Sequence, residues 1–311
     1  MLLLITGASD GTSDRLVLGY GEGVFRFNYD LWHQYKVVYT PEGWSIENPA
    51  GLKISSDVAT SCFWWKPLSY YPGNVDRAIK EEVKYFLREI YGWFRVRGLA
   101  KGNSPDFHNA MGKINILSIA KKYFPIPRSA YSVGLVGLNE FDEKLIVKSL
   151  ASAQSDDKSV MMATSVPSID ALDPKFPWFL QEEIESEWDI TVFLCGTCLF
   201  AFKRSRADMD GVDWRAEQDF TLQTQEWFPF DLSGENSRNL LSLAEELDIE
   251  FGRFDLMSDR SDLANLFFLE LNSAGQWMFL DIKNRYGLVD TVVSWLKNDS
   301  LKVDESAIDT A

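Results

Sequence analysis

The sequence predicts a mixed α/β protein, because three stretches show three different side-chain patterns. Residues 2–5 are four consecutive apolar side chains, which is typical of a strand buried in a parallel sheet. Over residues 75–97 apolar side chains recur every three or four positions, which predicts one amphipathic helix. Residues 191–202 predict a β-hairpin that turns at positions 196–197. A chain of 311 residues with these elements is long enough for more than one domain.

The composition of the chain excludes several kinds of partner. Hydrophobic residues make up 46% of the chain and aromatic residues 14%, so the chain can build a sizeable core and disorder is expected only at its ends. The formal net charge of −15 argues against nucleic acids and membranes as partners, since both need basic patches. The start MLLLIT is too short for a signal peptide, and no apolar run is long enough to span a membrane. Three cysteines suit a reducing compartment, and we therefore expect a cytoplasmic protein.

The first hundred residues contain further strands and the long helix. Strands are predicted near residues 24–27, 36–39 and 62–66. The loop after the first strand lacks the G-x-G-x-x-G spacing of a dinucleotide-binding turn. The polar stretch 98–106 has two glycines and a proline and is the best candidate for a domain boundary. The apolar face of the helix is predicted to consist of Val75, Ile79, Val83, Leu87 and Ile90.

Two lysines stand out among the elements of the middle of the chain. A helix is predicted from Lys113 to about Tyr123, and an apolar strand at 145–148 ends on Lys148. A lysine at the end of a buried strand is well placed to hold a phosphate, although a solvent-exposed lysine is the simpler alternative. The next loop, residues 149–160, has no glycine and is therefore not a glycine-rich phosphate cradle. The remaining elements are a strand around 177–184 and helices at 240–247 and 288–296.

The predicted hairpin carries a C-x-x-C pair, Cys195 and Cys198. A structural zinc site would need a second pair of ligands, and the chain offers only Cys62, His33 and His108 elsewhere. The two cysteines flank a tight turn, so we interpret them as small apolar residues.

Acidic side chains interrupt two apolar strands near the end of the chain. Residues 251–257 (FGRFDLM) and the strand that opens LFFLELNSAGQWMFLDIK are separated by a polar stretch of eight residues. Asp255 lies on the first strand, and Glu270 and Asn272 point the same way on the second because strand side chains alternate. Such a group of hard oxygen ligands suits Mg²⁺. The alternative is a half-buried hairpin whose polar residues simply face solvent.

The order of these residues resembles a known family. Asp followed by Glu-x-Asn resembles the magnesium site of the ATP-grasp ligases. The continuation Asn-Ser-Ala-Gly-Gln-Trp at 272–277 is similar to one subgroup, the maturases of graspetides, which are microviridin-type peptides with ω-ester and ω-amide bonds. Their pattern is Glu-x-Asn-Pro-x-Gly-Gln-Trp, so Ser273 replaces a proline here. The pattern Asn-x-x-x-Lys at 109–113, followed by a helix and Ile-Pro, is also similar to the family.

This resemblance covers nearly the whole chain and implies an ATP-grasp fold. The expected parts are an N-terminal α/β pre-ATP-grasp domain at residues 1–104 and a small central subdomain at 105–183. A C-terminal subdomain with the magnesium site would follow at 184–298, and the two subdomains would sandwich ATP. Residues 299–311 are polar and would form a flexible tail.

The resemblance also implies which side chains hold the nucleotide. Lys113 and Lys148 would contact its phosphates, and Asp189 its ribose. The adenine and ribose pocket would be lined by the stretch Gln181, Glu182, Glu183 and Ile184. The magnesium ligands would be Asp255, Glu270 and Asn272.

Arg215 is the further residue that the resemblance singles out. It would bind the γ-phosphate or the carboxylate of the acceptor, for which a forked guanidinium is well suited. Lys148 and Arg215 are therefore the implied catalytic residues. Thr191 departs from the family pattern, which has an arginine at that position.

The implied reaction is an ATP-dependent ligation without a nucleophile of the protein. A substrate carboxylate attacks the γ-phosphate of ATP, and a hydroxyl or amine then displaces phosphate from the acylphosphate. The leading hypothesis is a macrocyclase that forms ω-ester or ω-amide bonds in a ribosomal precursor peptide with a leader and an acidic core. The alternatives are an intermolecular ligase that adds an amino acid, and a nucleotide- or peptide-binding protein with impaired catalysis.

Family members are often homodimers. An acidic peptide would need a basic channel, which we expect from Lys203, Arg204, Arg206 and Arg215.

Overall fold

The computed structural model describes residues 1–66, 75–138, 141, 144–148, 164–166, 168–207, 209, 212, 227–260 and 262–298. The chain divides into two compact units, Met1–Phe107 with Ala274–Ala311, and His108–Ser273. The first break follows directly on the polar stretch 98–106. The predicted limits at residues 104, 183 and 298 stay predictions, and the predicted tail lies outside the described residues.

The helices and strands follow one another in mixed order along the chain. The first part contains β1 (Leu2–Thr6), α1 (Gly11–Tyr20), β2 (Val24–Asn28), β3 (Lys36–Thr40), β4 (Gly43–Glu47), β5 (Lys53–Ser55), β6 (Ser61–Trp64), α2 (Arg77–Arg95) and β7 (Ala100–Lys101). The middle contains α3 (Phe107–Ala110), α4 (Lys113–Ala120), β8 (Ser129–Ser132), β9 (Leu145–Lys148), β10 (Thr164–Val166) and β11 (Trp178–Glu182). The last part contains β12 (Trp188–Cys195), β13 (Cys198–Ser205), β14 (Phe228–Pro229), α5 (Gly234–Glu246), β15 (Phe251–Ser258), β16 (Leu266–Asn272) and α6 (Leu288–Lys297).

The first unit contains a parallel sheet with the strand order β2, β1, β6, β7. All five residues of β1 are buried, which confirms the buried parallel strand predicted from its apolar run. A separate antiparallel sheet has the order β3, β4, β5. Among the described residues, no helix has both the length and the apolar content that crossing a membrane requires.

The long helix α2 is confirmed, with one correction to its apolar face. It begins after Asp76, whose carboxylate accepts a hydrogen bond from the Ala78 amide at 2.7 Å. Val83 and Leu87 are buried as predicted, but Ile79 is 42% exposed. The buried face begins only at Val83, one turn further along, so the apolar periodicity extends beyond the part of the helix that packs on the core.

The helix α1 has no counterpart in the prediction. Its N-terminus is capped by Asp10, whose side chain accepts a hydrogen bond from the Thr12 amide at 3.3 Å. Leu16 is its one large apolar side chain that is buried, so the sequence lacks a clear amphipathic stripe. The capping aspartate is the signal that could have identified this helix.

The second unit contains two antiparallel sheets. One has the strand order β10, β9, β11, β8, and the other has the order β14, β13, β12, β15, β16. β12 and β13 form the predicted hairpin, with Cys195 paired to Cys198 at its end. Both thiols and that of Cys62 are buried and belong to no disulfide among the described residues, and burial raises the pKa of the Cys198 thiol. This agrees with their interpretation as apolar residues.

The ends of β15 and β16 come unusually close together at Gly252. This glycine has φ +148°, and a Cβ at its position would lie 3.1 Å from the carbonyl oxygen of Asn272 and from the Cα of Ser273. A side chain would therefore push the end of β16 away. Glycine at this position allows the last residue of β16, Asn272, to stay close to β15.

Candidate active site

Asp255 and Glu270 lie directly opposite each other on β15 and β16. Their pairing depends on an irregularity, because Asp255 pairs with Glu270 while the next residue, Leu256, pairs with Phe268. Leu269 is thus left without a partner in the ladder, as in a β-bulge. If the register of residues 256–258 continued without a break, Leu269 would face Asp255; the bulge shifts the pairing by one residue, and Glu270 faces Asp255 instead.

Asp255 accepts four hydrogen bonds from three neighbouring side chains. Arg253 donates through Nε to Oδ1 at 2.8 Å and through Nη2 to Oδ2 at 3.0 Å. Thr191, which pairs with Asp255 from β12, donates to Oδ1 at 3.0 Å. Asn272 donates through Nδ2 to Oδ2 at 2.6 Å. Thr191, for which the family pattern suggests no role, is therefore a direct contact of this carboxylate.

Glu270 is paired with a lysine from the start of α4. The Lys113 ammonium lies 3.1 Å from Oε2 of Glu270, and Asn272 Nδ2 lies 3.2 Å from Oε1. Burial opposes ionisation of the Glu270 carboxyl. The charges of Lys113 and Lys148 and the hydrogen bond from Asn272 outweigh burial and lower the pKa from 4.5 to about 2.

Lys148 is held in place by a buried amide. Its ammonium donates to Oε1 of Gln181 at 2.7 Å, and Gln181 Nε2 donates to the Ser129 hydroxyl at 3.0 Å. Gln181 is only 1% exposed. Neighbouring strands supply these residues, because β11 lies between β9 and β8. The central position of β11 therefore fixes where the charge of Lys148 lies.

The two lysines and Glu270 line a single small cleft in the second unit. Apolar side chains form the rest of its lining: Ile116, Leu117, Phe179, Leu269 and Leu271. Two ammonium groups within an apolar lining can hold an anionic group such as a phosphate, because electrostatic attraction is stronger where water is partly excluded.

The carboxylates beside this cleft are suited to Mg²⁺. Asp255, Glu270 and Asn272 offer hard oxygen ligands, the kind that Mg²⁺ prefers. The Asn272 amide nitrogen lies 2.6 Å from Oδ2 of Asp255 and 3.2 Å from Oε1 of Glu270. The two carboxylates are therefore close enough to hold one cation together. Rotation of this amide by half a turn would present its oxygen instead. Within the described ranges, no group of three or more His, Cys, Asp or Glu side chains could hold a metal, so Asn272 would have to complete this set.

The predicted adenine and ribose residues are spread over different surroundings. Gln181 contacts Lys148 and Ser129, as described above. Glu182 is exposed and accepts a hydrogen bond from the Arg128 amide at 3.4 Å. Glu183 accepts one from the Ser165 hydroxyl at 3.4 Å, and Ile184 is half-buried. Their contacts with a nucleotide stay predictions.

Asp189 is buried and paired with an arginine. It is 6% exposed, and Oδ1 accepts a hydrogen bond from Arg206 Nη1 at 2.8 Å. Burial raises the pKa of Asp189 above its usual value, although the charges of Arg206 and Arg204 oppose this effect. The other carboxylate oxygen, Oδ2, is buried, and none of the described residues donates a hydrogen bond to it. A ribose hydroxyl is one donor that would satisfy this oxygen.

The prediction of a basic channel is wrong for two of its four residues, Arg204 and Arg206. Arg204 is 3% exposed, and Arg206 neutralises Asp189. Lys203 lies over the Trp188 ring, with its ammonium 4.6 Å from the ring centre. A local cluster in sequence does not make a basic surface here, because alternation along β13 turns Arg204 inward. Arg215, the fourth member and a predicted catalytic residue, lies outside the described residues.

Arg253 and Ser129 are contacts of the site that the sequence analysis does not predict. Arg253 is two residues from Asp255 on one strand, so the alternation that places Asp255 on the site face places Arg253 there too. That spacing is the signal that could have identified it. Ser129 has no comparable signal, because its contact depends on strands that are far apart in sequence.

Comparisons with known proteins agree with this architecture at the level of the fold. No family model matches the sequence, and no curated protein matches it either. Solved structures of ATP-grasp ligases, however, superimpose on almost the whole chain, and 400 chains match in all. The chain thus has the fold of an ATP-grasp ligase, which confirms the predicted fold.

Three of these structures are complexes with a precursor or with a leader and core peptide. The macrocyclase MdnC from Microcystis aeruginosa MRC, bound with precursor peptide MdnA, has a TM-score of 0.77 at 20% identity over 96% of this chain and 99% of its own. The RiPP-associated ATP-grasp ligase of Chryseobacterium gregarium, in complex with ADP and a leader and core peptide, has a TM-score of 0.79 at 18% identity over 97% and 99%. The ATP-grasp ligase PsnB, complexed with minimal precursor, Mg and ADP, has a TM-score of 0.71 at 14% identity over 95% and 98%.

Proposed function

We propose that this protein is an ATP-dependent ligase that cross-links acidic side chains within a ribosomal precursor peptide. The observation that carries the proposal is the juxtaposition of Asp255, Glu270 and Asn272 with Lys113 and Lys148 beside one cleft. Oxygen ligands for a cation and ammonium groups for phosphates are what binding of Mg²⁺ and ATP requires.

The residues of the site have separate roles in this proposal. Lys113 and Lys148 bind the phosphates of ATP and stabilise negative charge where the acylphosphate forms. Asp255, Glu270 and Asn272 hold Mg²⁺, which when bound would neutralise the phosphates and orient them. Gln181 keeps Lys148 in position through their 2.7 Å hydrogen bond.

The remaining predicted residues belong to the same proposal. Glu182, Glu183 and Ile184 line the adenine and ribose pocket, and Asp189 accepts a hydrogen bond from the ribose through its unpartnered oxygen. Arg215 binds the γ-phosphate or the acceptor carboxylate.

No side chain of the protein forms a covalent bond with the substrate in this reaction. An Asp or Glu carboxylate of the peptide attacks the γ-phosphorus of ATP, and ADP leaves. A hydroxyl or amine of the same peptide then attacks the acyl carbon, loses its proton and expels phosphate. Each ester or amide bond thus removes the elements of one water molecule from the peptide. The site supplies orientation and electrostatic stabilisation, which account for most catalysis of phosphoryl transfer.

A peptide partner is supported by the structures of similar fold. MdnC, the Chryseobacterium gregarium ligase and PsnB were each solved with precursor, leader or core peptides. We propose a precursor with an acidic core for this chain as well. A homodimer and a cytoplasmic location remain parts of the proposal that rest on the sequence analysis.

The test is intact-mass spectrometry of a peptide encoded beside this chain, incubated with the protein, ATP and Mg²⁺. The proposal predicts loss of one water mass per bond, and no loss with Glu270→Gln. The control variant is Glu245→Gln, because Glu245 is an exposed glutamate on α5. A gain equal to one amino-acid residue would instead establish the intermolecular ligase. Nucleotide binding without any mass change would favour the binding protein with impaired catalysis.

A further inference from the structure

The two carboxylates of the site are already neutralised by cations of the protein. Arg253 contacts Asp255 at 2.8 Å and 3.0 Å, and Lys113 contacts Glu270 at 3.1 Å. Lys148 lines the same cleft as Glu270 and Lys113. Counted over the described residues of the site, two negative charges face three positive ones, and a metal cation that arrives alone meets a net positive charge.

Asp255 has no acceptor position left for a metal ion. An ionised carboxylate offers about four lone-pair positions. In Asp255 they are taken by two bonds from Arg253 and by one each from Thr191 and Asn272. A metal must therefore displace a donor.

Three side chains that contact the two carboxylates, Arg253, Asn272 and Lys113, differ in how readily they can move away. The Arg253 side chain is 9% exposed and lies two residues from Asp255 on the same strand, so it has little room to move away. Asn272 can exchange its nitrogen for its oxygen by rotation of the terminal amide. Lys113 is 22% exposed and can turn to an incoming phosphate, which releases Glu270. Arg253 is thus the fixed counterion, and the other two contacts are exchangeable.

We propose that Arg253 is a positioning residue that, through Asp255, makes Mg²⁺ binding at this site depend on bound nucleotide. This inference rests on the proposed function and concerns the same site. The nucleotide brings several negative charges, which draw Lys113 and Lys148 onto its phosphates and reverse the net charge that the cation meets. Arg253 stays on Asp255 throughout and holds both of its oxygens in a fixed plane, as a bidentate guanidinium does.

The experiment measures Mn²⁺ binding, because the spectroscopic signal of free Mn²⁺ falls when the ion is bound. The full chain is titrated with and without ADP, as wild type and as Arg253→Met, Arg253→Lys and Arg260→Met. Arg260 is the control, since its side chain is 70% exposed and pairs with Glu185 instead. We expect ADP to tighten Mn²⁺ binding to the wild type at least about tenfold.

The variants should respond according to their charge. Arg253→Met should bind Mn²⁺ without ADP about tenfold more tightly than the wild type, since it lacks the repelling charge. Arg253→Lys keeps the charge and should restore the dependence on ADP, and Arg260→Met should behave as the wild type. If Arg253→Met does not fold, as judged from thermal unfolding, Arg253→Gln takes its place and should show the same tightening.

Two results would contradict the inference in different ways. Weaker or unchanged Mn²⁺ binding by the neutral variant without ADP means that Arg253 has only a structural role, and the proposed function survives. Absence of Mn²⁺ binding by the wild type even with ADP means that the metal site itself is wrong. In that case the proposed function also loses the observation on which it depends, the metal site beside the two lysines.

Discussion

The ammonium nitrogen of Lys113 lies 3.1 Å from Oε2 of Glu270, although the two residues are 157 positions apart in the sequence. One is the predicted phosphate ligand and the other the predicted metal ligand. In the absence of both ligands, each residue neutralises the other. Binding of Mg²⁺ and ATP would therefore replace the ion pair between Lys113 and Glu270 by one between Lys113 and a phosphate and one between Glu270 and Mg²⁺. Neither charge would then be left alone in the cleft, which would be costly.

The low pKa of Glu270 predicts a specific dependence of stability on pH. Its folded-state pKa of about 2 lies below the ordinary 4.5, so its ionised form stabilises the fold above about pH 4.5. That stabilisation is lost as the pH falls towards 2. Between these values the wild type should lose up to about 3 kcal/mol more of its free energy of unfolding than Glu270→Gln. Denaturant unfolding at several pH values checks this, and equal slopes for the two proteins would show that the pair is not formed in solution.

Lys113→Met should weaken binding of the nucleotide. A charge-assisted hydrogen bond to phosphate is lost, which corresponds to an affinity about ten- to a hundredfold lower. Calorimetry with a non-hydrolysable ATP analogue measures this. Lys121→Met is the matched control, because Lys121 is exposed just beyond the end of the same helix. Equal affinity of the Lys113 variant and the control would remove Lys113 from the phosphate site.

Gln181 should affect both the binding of the nucleotide, through Lys148, and the stability of the fold. Gln181→Met removes a buried amide that accepts from Lys148 and donates to Ser129, and should cost about 1–3 kcal/mol of unfolding free energy. It should also raise the KM for ATP, since Lys148 loses its anchor. Ser129→Ala provides the comparison, because it leaves the contact between Gln181 and Lys148 in place. A similar KM for the two variants would indicate that Gln181 only supports the fold.

Arg206→Met should destabilise the fold by leaving Asp189 without its ion-pair partner. Breaking a buried pair on one side typically costs about 3–5 kcal/mol. The double variant Arg206→Met with Asp189→Asn should recover part of the loss, and Arg238→Met, at an exposed arginine of α5, should cost little. Burial raises the pKa of Asp189, and the charge of Arg206 opposes this effect, so loss of Arg206 should raise the pKa further. Protonation then removes the unpaired charge, and the deficit of the single variant should shrink as the pH falls. A deficit that does not change with pH would contradict this account of Asp189.

The sequence predicts the carboxylate cluster because strand alternation is a local rule. Asp255, Glu270 and Asn272 each follow from the apolar run around them, and the family resemblance places them on neighbouring strands. The bulge at Leu269 does not follow from this pattern, although it determines which residue of β16 faces Asp255. An irregular register depends on the packing of both strands and leaves no periodic signal.

Charge pairing between strands is the part of the site that the sequence cannot predict. Arg206 differs little from a surface arginine in sequence, yet it is paired with Asp189 in the structure. Asp189 lies on β12, and Arg206 directly follows β13, which pairs with β12 in the hairpin, so their contact depends on how the two strands are aligned. Counting basic residues in a stretch therefore overestimates the charge that is available to a substrate.

The central claim is that a peptide carboxylate is activated by ATP, and isotope transfer tests it most directly. A precursor peptide with oxygen-18 in its Asp and Glu side chains is incubated with the protein, ATP and Mg²⁺, and the mass of the released phosphate is measured. The account predicts one oxygen-18 atom in phosphate for each bond formed, because the displaced phosphate keeps the oxygen that attacked ATP. Phosphate without oxygen-18, released while ATP is consumed, would show hydrolysis without carboxylate activation and would contradict the account.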